Sequence, residues 1–409
     1  MHLARRTLLG SAVAASALPL ARAARAQAQA IKIGVLTDLS GPYRDNTGEG
    51  SVVCARQAAD EFNSGHGFKV QILSADHQNK PDVGASIARQ WFDTEGVDVI
   101  LDVPTSSVAL AVNSVAKERN KVYINTGAGT GDLTGSQCTP VTIHWSYDTY
   151  MLSRSTASQL VKLGGNKWFF ITANYVFGQQ LQRDAAEFVK KAGGEVLGSA
   201  AFPFPETTDF SSYLIQAQSS GANAIGFASA GADTVNCVKQ AHEFGLARSA
   251  KLAALLAHPI DVVSIGLDLA EGLYVTQSFY WDLNDGTRVF TKRVLDRMPG
   301  KNPPTMIQAG CYGGTLHYLK AVAAMGAAKA KADGAAAVAQ MKAMPIDDDA
   351  FGHASIRADG LALLPAYLFQ AKTPAESKSR WDVLKLVATT PADEAWRPLA
   401  EEGCPLVKS

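Results

Sequence analysis

The chain has 409 residues, 38 basic side chains against 38 acidic ones, and 47% hydrophobic residues. That length predicts two domains or more. The balanced charge argues against a nucleic-acid-binding surface. Beyond the N-terminal segment no run of 18 apolar residues occurs, so no transmembrane helix is expected.

Residues 1–28 read as an export signal. Arg5 and Arg6 form a charged n-region, an Ala- and Leu-rich stretch runs from Thr7 to Leu20, and Ala26-Gln27-Ala28 supplies a small-residue cleavage pattern. The paired arginines point to the twin-arginine route and a periplasmic destination. Removal also takes away Arg5, Arg6, Arg22 and Arg25, which leaves the mature chain mildly acidic.

Strand and helix then alternate. "IKIGVLTD" reads as a strand, "GEGSVVCARQAADEFN" as a helix and "KVQILSAD" as a strand. "DVGASIARQWFDTEG" sets Val83, Ile87 and Trp91 on one helical face. "VDVILDV", "SSVALAVNSVAKERN" and "KVYIN" continue as strand, helix, strand. The rhythm predicts a parallel sheet with helices on both faces. It pauses at "TPVTIHWSYDTY" and restarts as a second array. The strands there are "KWFFITAN", "EVLGSAAF", "ANAIGFASA" and "KLAALLA". A helix over 261–270 follows, then the strand "LYVTQSF". Beyond come helices at "RVFTKRVLDRMP", "MIQAGCYGGTLHYLKAVAAMGAAKA" and "DGAAAVAQMKAM", then strands at "AYLFQAK" and "WDVLKLVA". The fold class is α/β, with two doubly wound domains and additional C-terminal elements.

Five cysteines remain after export. Cys54, Cys237 and Cys311 fall in helical segments and read as small buried hydrophobes. Cys138 and Cys404 lie in a loop and in the tail and are candidates for a bridge, although spacing does not fix connectivity.

Cofactor and catalytic motifs fail one by one. Gly127-Ala-Gly129-Thr-Gly131 follows a strand, as a dinucleotide fingerprint would. Its third glycine comes one residue early, and no acidic residue ends a second strand about 20 positions on, since Asp148 follows an aromatic stretch. His242 opens "HEFGL" without a second histidine one turn later, so no zinc pair forms. The spacing from Gly226 to Gly231 around Ser229 does not make a nucleophile elbow. There is no C-x-x-C and no phosphate-binding loop. No cofactor, metal or catalytic residue is assigned, and an exported nucleotide-dependent oxidoreductase survives only as a rival reading.

The remaining signal lies at the C-terminal ends of the strands, where open parallel sheets bind ligands. Thr105 and Ser106 stand at a hydroxyl-rich helix start suited to an anion. Gly127, Ala128 and Gly129 allow close backbone approach. Tyr175, Phe177, Asp233 and His258 follow later strands.

Taken together, several segments resemble the type I periplasmic solute-binding proteins of ABC importers, the branched-chain amino acid group. They are "IKIGVLTDLSGPY", "DVPTSSVAL", "INTGAGTGDLT", "FFITANYVFGQQL", "GADTVNCVKQAHEFGL" and "AEGLYVTQSFYW", in that order. The resemblance covers roughly residues 31–370. It implies two α/β domains joined by three crossing strands, with ligand in a cleft that closes. The crossings are expected near Ser146, Gln277 and Ala354. Domain one would be 31–146 plus 278–353, and domain two 147–277 plus 354–409. It further implies carboxylate contacts from Thr105 and Ser106, loop contacts from Gly127 and Gly129, and a cleft aromatic at Phe177. The acid that pairs a ligand ammonium would fall near Ala257 and His258 and is absent, with Asp233 as the possible substitute. Tyr43, Tyr175, Phe177 and Tyr280 are candidates to stack on a ligand.

The expectation is a monomeric, non-enzymatic binding protein. It would deliver a small aromatic or short-chain carboxylate to an inner-membrane permease. Branched-chain amino acid binding is the rival within the class, and a sensor subunit on the same fold is a further one.

Overall fold

A computed structural model describes residues 30–62 and 66–407, so the export signal expected over 1–28 lies outside the described residues. The first sheet is five-stranded and wholly parallel. Its strands are β1 (Ala30–Thr37), β2 (Lys69–Asp76), β3 (Val99–Asp102), β4 (Val122–Asn125) and β5 (Thr142–His144), in the order β2-β1-β3-β4-β5. Every residue of β3, β4 and β5 is buried. This is why "VILD" and "VYIN" read as unbroken apolar runs rather than alternating ones: helices cover both faces.

The second sheet repeats the plan with β6 (Lys167–Ala173), β7 (Glu195–Phe202), β8 (Ala224–Ala228), β9 (Lys251–Ala254) and β10 (Tyr274–Gln277). Their order, β7-β6-β8-β9-β10, matches the first sheet strand for strand. β11 (Ile346–Asp348), β12 (Gly352–Ile356) and β13 (Ala362–Leu363) form a small antiparallel sheet. β14 (Ala366–Ala371) and β15 (Leu384–Thr390) then extend the second sheet antiparallel at the β10 edge.

The chain leaves the first sheet after His144 and the second after Gln277. It returns to the second sheet only at Ala366. Ala354, where the third crossing was expected, pairs instead with Ile346 in the small sheet. Residues 360–361 still belong beside the first sheet. The His144 N–H donates to the Gly360 carbonyl at 2.9 Å, and Leu361 bridges His144. The tail also departs from a purely domain-two placement, because Cys404 is disulfide-bonded to Cys138 beside the first sheet.

Two helices end earlier than their periodicity suggests. The stretch over 261–270 divides into Pro259–Ile265 and Leu267–Ala270, broken at Gly266 with φ +90°. The helix Met306–Met325 stops before Gly326, which has φ +88°. A positive φ interrupts helical geometry, and glycine accepts it at little steric cost.

Candidate functional site

The C-terminal ends of the two sheets face each other across a narrow cleft that is partly open to solvent. Such strand ends, at the point where strand order reverses, are where doubly wound sheets present loops to a ligand. The first half supplies Tyr43, Asn46 and Thr47 after β1, Pro104 after β3, Gly127 after β4, Tyr147 after β5, and Ile307 from the helix Met306–Met325. The second supplies Tyr175 and Phe177 after β6, Ala230 after β8, and Leu256 and His258 after β9.

Local chemistry fixes these loops. The Asp38 carboxylate accepts from the backbone N–H groups of Ser40 at 3.2 Å, Gly41 at 2.6 Å and Tyr43 at 2.9 Å, which pins the turn that carries Tyr43. Asp102 and Val103 hold positive φ values of 78° and 59°, and this bend turns the chain toward Pro104. The conformation costs on the order of 1–3 kcal/mol per residue and needs firm surrounding structure.

The glycine string is a packing feature. A Cβ on Gly127 would lie 2.6 Å from Asp102 Oδ1, and one on Gly129 would lie 2.8 Å from the Phe177 ring. Asn125 clamps the loop between them: Nδ2 donates to the Ala128 carbonyl at 2.7 Å and Oδ1 accepts the Ala128 N–H at 3.0 Å. Gly131 opens a three-residue 3-10 turn, Gly131–Leu133, and not a long helix. A pyrophosphate needs free loop N–H groups leading into a helix N-terminus, so this loop is no dinucleotide cradle.

Contacts across the cleft hold it shut. The hydroxyls of Tyr43 and Tyr175 are 2.7 Å apart, and Phe204 stacks on both rings, at 4.3 Å from Tyr175 and 5.6 Å from Tyr43. The Ala232 N–H donates to the Pro42 carbonyl at 3.2 Å, and Asn46 Nδ2 donates to Asp261 Oδ2 at 3.2 Å. Gly231, with φ +57°, sits where a Cβ would be 2.5 Å from the Pro42 carbonyl oxygen, so this close approach excludes any side chain.

The wall of the cleft carries no Asp, Glu, Lys or Arg among the described residues. Three helices begin at it: Ser106–Arg119, Val176–Lys191 and Gly231–Glu243. None has a side-chain cap on its first turn. Two further helices start beside it with caps: Thr149–Lys162, capped by Asp148 after Tyr147, and Met306–Met325, capped by Thr305 before Ile307. The positive ends of the first three helix dipoles thus converge on the cleft without a capping side chain, an arrangement that favours an anion.

Buried carboxyls stand behind the wall. Burial pushes Asp102, Asp233 and Asp261 each up to about 7. Burial pushes the His258 imidazole down to about 4, against a smaller upward pull from the Gln277 side chain.

Of the residues expected from sequence, Tyr43, Gly127, Tyr175, Phe177 and His258 line the cleft. The Thr105 hydroxyl donates to Asn79 Oδ1, while Ser106 Oγ is buried without a partner. Gly129 backs Phe177 and Tyr147, and the Ala128 methyl packs into the core of the first domain. Asp233 lies close enough to raise the pKa values of both Tyr43 and Tyr175, but its carboxylate is not part of the wall. Tyr280 belongs to the core of the second domain: its ring is 4.8 Å from Phe369, and its hydroxyl reaches the Trp381 carbonyl at 3.5 Å. Stacking on that core replaces the ligand contact expected of it.

Sequence reasoning missed Asn46, Thr47, Pro104, Tyr147, Ala230, Leu256 and Ile307. Tyr147 sat in the aromatic run where the βα rhythm pauses, a usable signal. Ile307 comes from a helix distant in sequence and carried none.

The model of a known family, described as a periplasmic binding protein, matches residues 30–378. This chain belongs to the periplasmic binding protein family. A periplasmic binding protein from Burkholderia mallei is 43% identical, with TM-score 0.88, covering 93% of this chain and 100% of that one. A branched chain amino acid ABC transporter periplasmic ligand-binding protein from Burkholderia xenovorans LB400 is 37% identical, with TM-score 0.81, covering 92% and 99%. An ABC transporter solute binding protein from R. palustris, in complex with benzoate, is 20% identical, with TM-score 0.80, covering 92% and 100%; it shares the fold. These periplasmic binding proteins place the chain in the type I, branched-chain amino acid group of solute-binding proteins of ABC transporters, proteins that hand small molecules to permease components.

Proposed function

We propose that this binding protein captures a small carboxylate with an apolar or aromatic body and no ammonium group, without chemical conversion. It would do so as a monomer exported by the twin-arginine route. The observation that carries the reading is the wall itself: four aromatic rings, three uncapped helix starts and no charged side chain. Helix N-termini compensate a carboxylate. A buried ammonium would need a carboxylate against it, because a lone buried charge costs several kcal/mol. Ligand binding adds contacts to both halves and so favours the closed state.

One observation favours amino acids instead. Asp233 Oδ2 is buried and unpartnered, one step behind Tyr43 and Tyr175. A rearranged Asp233 could meet an ammonium.

Thermal-shift measurement separates the two. Ligand bound to the folded state raises the melting temperature by mass action, by about 2.7 kcal/mol of stability at 100 times Kd. A rise with benzoate and none with leucine supports the carboxylate reading. A rise with leucine alone, lost in Asp233→Asn, replaces it with amino acid binding.

A further inference from the structure

The cleft has two ends, and only one is explained by a carboxylate. Strand order sets them apart. Asn46 follows β1 and His258 follows β9, whereas Gly127 follows β4 and Phe177 follows β6. β1 and β4 are separated by β3, and β9 and β6 by β8. At about 4.8 Å per strand spacing, the two ends of the cleft lie roughly 10 Å apart along the sheets.

At the β1/β9 end, polar atoms are buried without partners. Asn46 is 2% exposed and His258 1% exposed, and both line the cleft. Asn46 Oδ1 and both ring nitrogens of His258 have no hydrogen-bond partner. The two residues are held together by one atom. Asp261 Oδ2 accepts the His258 backbone N–H at 2.8 Å and Asn46 Nδ2 at 3.2 Å. That oxygen already accepts from a backbone donor, so the Asn46 amide turns its nitrogen toward it and leaves its carbonyl oxygen free. Burial keeps His258 neutral, with one ring nitrogen a donor and the other an acceptor. Buried polar groups in native proteins nearly always find partners, and an orphaned cluster in a cavity wall calls for a ligand group. Leu256 and Ile307 beside it are apolar, and the Gln277 amide, whose side chain pulls the His258 pKa upward, faces the imidazole N–H, which leaves the bare ring nitrogen and Asn46 Oδ1 for a ligand group.

We propose that Asn46 and His258 form a second polar pole of the cleft that receives a hydroxyl at the end of the ligand remote from its carboxylate. The ligand class is then a hydroxylated aromatic carboxylate. The hydroxyl donates to Asn46 Oδ1 or to the bare imidazole nitrogen. Asn46 comes from the first half and His258 from the second, so this hydroxyl also ties the closed state together.

The inference rests on the carboxylate reading for its ligand class, and the test keeps the two apart. Affinities of the mature protein would be measured by calorimetry for two pairs that differ by one hydroxyl: benzoate with 4-hydroxybenzoate, and phenylalanine with tyrosine. The polar pole predicts that the hydroxylated member binds at least tenfold tighter in whichever pair binds. His258→Phe should bring that ratio close to one, and Asn46→Ala should reduce it. Binding of the amino acid pair alone, with the ratio intact, overturns the carboxylate reading and with it the aromatic acid class, and keeps the pole. Equal affinity within a bound pair overturns the pole and keeps the carboxylate. A wild-type preference that survives in both variants assigns the hydroxyl to other residues and overturns the proposal. Failure of all four to bind overturns both readings.

Discussion

The two halves of the molecule meet in two places, and the chemistry of the two is opposite. In the cleft, rings and helix starts face one another, charges are excluded, and Asn46 and His258 keep polar atoms unpartnered. On the side where the chain crosses between sheets, charges are buried and paired. The Arg357 guanidinium, 12% exposed, reaches Asp359 at 2.7 Å and Glu402 at 3.0 Å, and also donates to the Arg397 carbonyl at 2.7 Å. Arg397 in turn lies 4.5 Å over the Tyr150 ring and 3.5 Å from Asp184. The Trp396 indole N–H donates to the Leu364 carbonyl at 2.8 Å, and the Cys138–Cys404 disulfide closes the group. Satisfied polar networks make rigid structure, and open ones await a partner. The tail thus fixes the crossing side, and the cleft keeps its hydrogen-bonding capacity for ligand.

The largest effects are expected where satisfied charges would be orphaned. Arg357→Met leaves Asp359 and Glu402 buried without their guanidinium, and removal of one partner of a buried pair costs about 3–5 kcal/mol. Denaturant unfolding should show that loss. A change below 1 kcal/mol would mean that the crossing side is not the rigid one. Next comes the disulfide. Cys138→Ser with Cys404→Ser should cost about 2–4 kcal/mol, since the bridge spans 266 residues and such a crosslink restricts the unfolded chain. Melting with and without reductant gives the same comparison on the native chain.

Asp148 adds a pH dependence on this side. It caps the helix Thr149–Lys162 by accepting the Met151 N–H at 2.7 Å, yet burial pushes its carboxyl up to about 7. A folded-state pKa above the ordinary value near 3.9 means that the native state holds the proton more tightly. Its contribution is therefore complete below about pH 4 and lost as pH rises through about 7. Asp148→Asn keeps a cap and has no such slope. Its melting temperature relative to the native chain should rise from pH 4 to pH 8, and a flat difference would remove Asp148 as the source.

This contrast also marks what the sequence could show. The βα rhythm is legible because buried parallel strands are short apolar runs between amphipathic helices, and "VILD" and "VYIN" are strands where the pattern puts them. Tyr175 and Phe177 were legible because they closely follow a strand, whereas Tyr43, in a turn well past the end of β1, entered only as a stacking candidate beside the resemblance. Tyr280 also follows a strand, but its strand borders the β14 and β15 edge, and the ring turns into that packing. The pairing of Arg357 with Glu402 joins residues distant in sequence through the tail, which no local pattern encodes. The third crossing, expected near Ala354 from the resemblance alone, has no local signal, and there β12 pairs back on β11 before the chain moves on.

In the cleft the effects are smaller and fall on binding. Gly129→Ala puts a methyl 2.8 Å from the Phe177 ring, a contact that exists only while the halves are together, and 3.0 Å from the Tyr147 ring of its own half. Overpacking of this kind costs about 1–3 kcal/mol. Because the clash falls on the closed form, ligand affinity should drop roughly 5- to 150-fold, while thermal stability without ligand changes less. A stability loss as large as the affinity loss would show that Gly129 serves the fold of its own domain instead.

The smallest effect tests closure most directly. Tyr43 and Tyr175 share one hydrogen bond across the cleft at 2.7 Å, and burial with their mutual proximity raises the Tyr43 hydroxyl well above its ordinary pKa, so both stay neutral. Tyr175→Phe removes one hydroxyl and keeps the stack on Phe204. A single neutral hydrogen bond contributes about 1 kcal/mol, so affinity should fall about fivefold. The loss should appear as faster ligand dissociation, because the bond forms only after the halves meet. Were the association rate to carry the loss, the hydroxyl pair would be guiding ligand entry and not holding the closed state. Its place would then be in the open form, beside the helix starts that draw the carboxylate in.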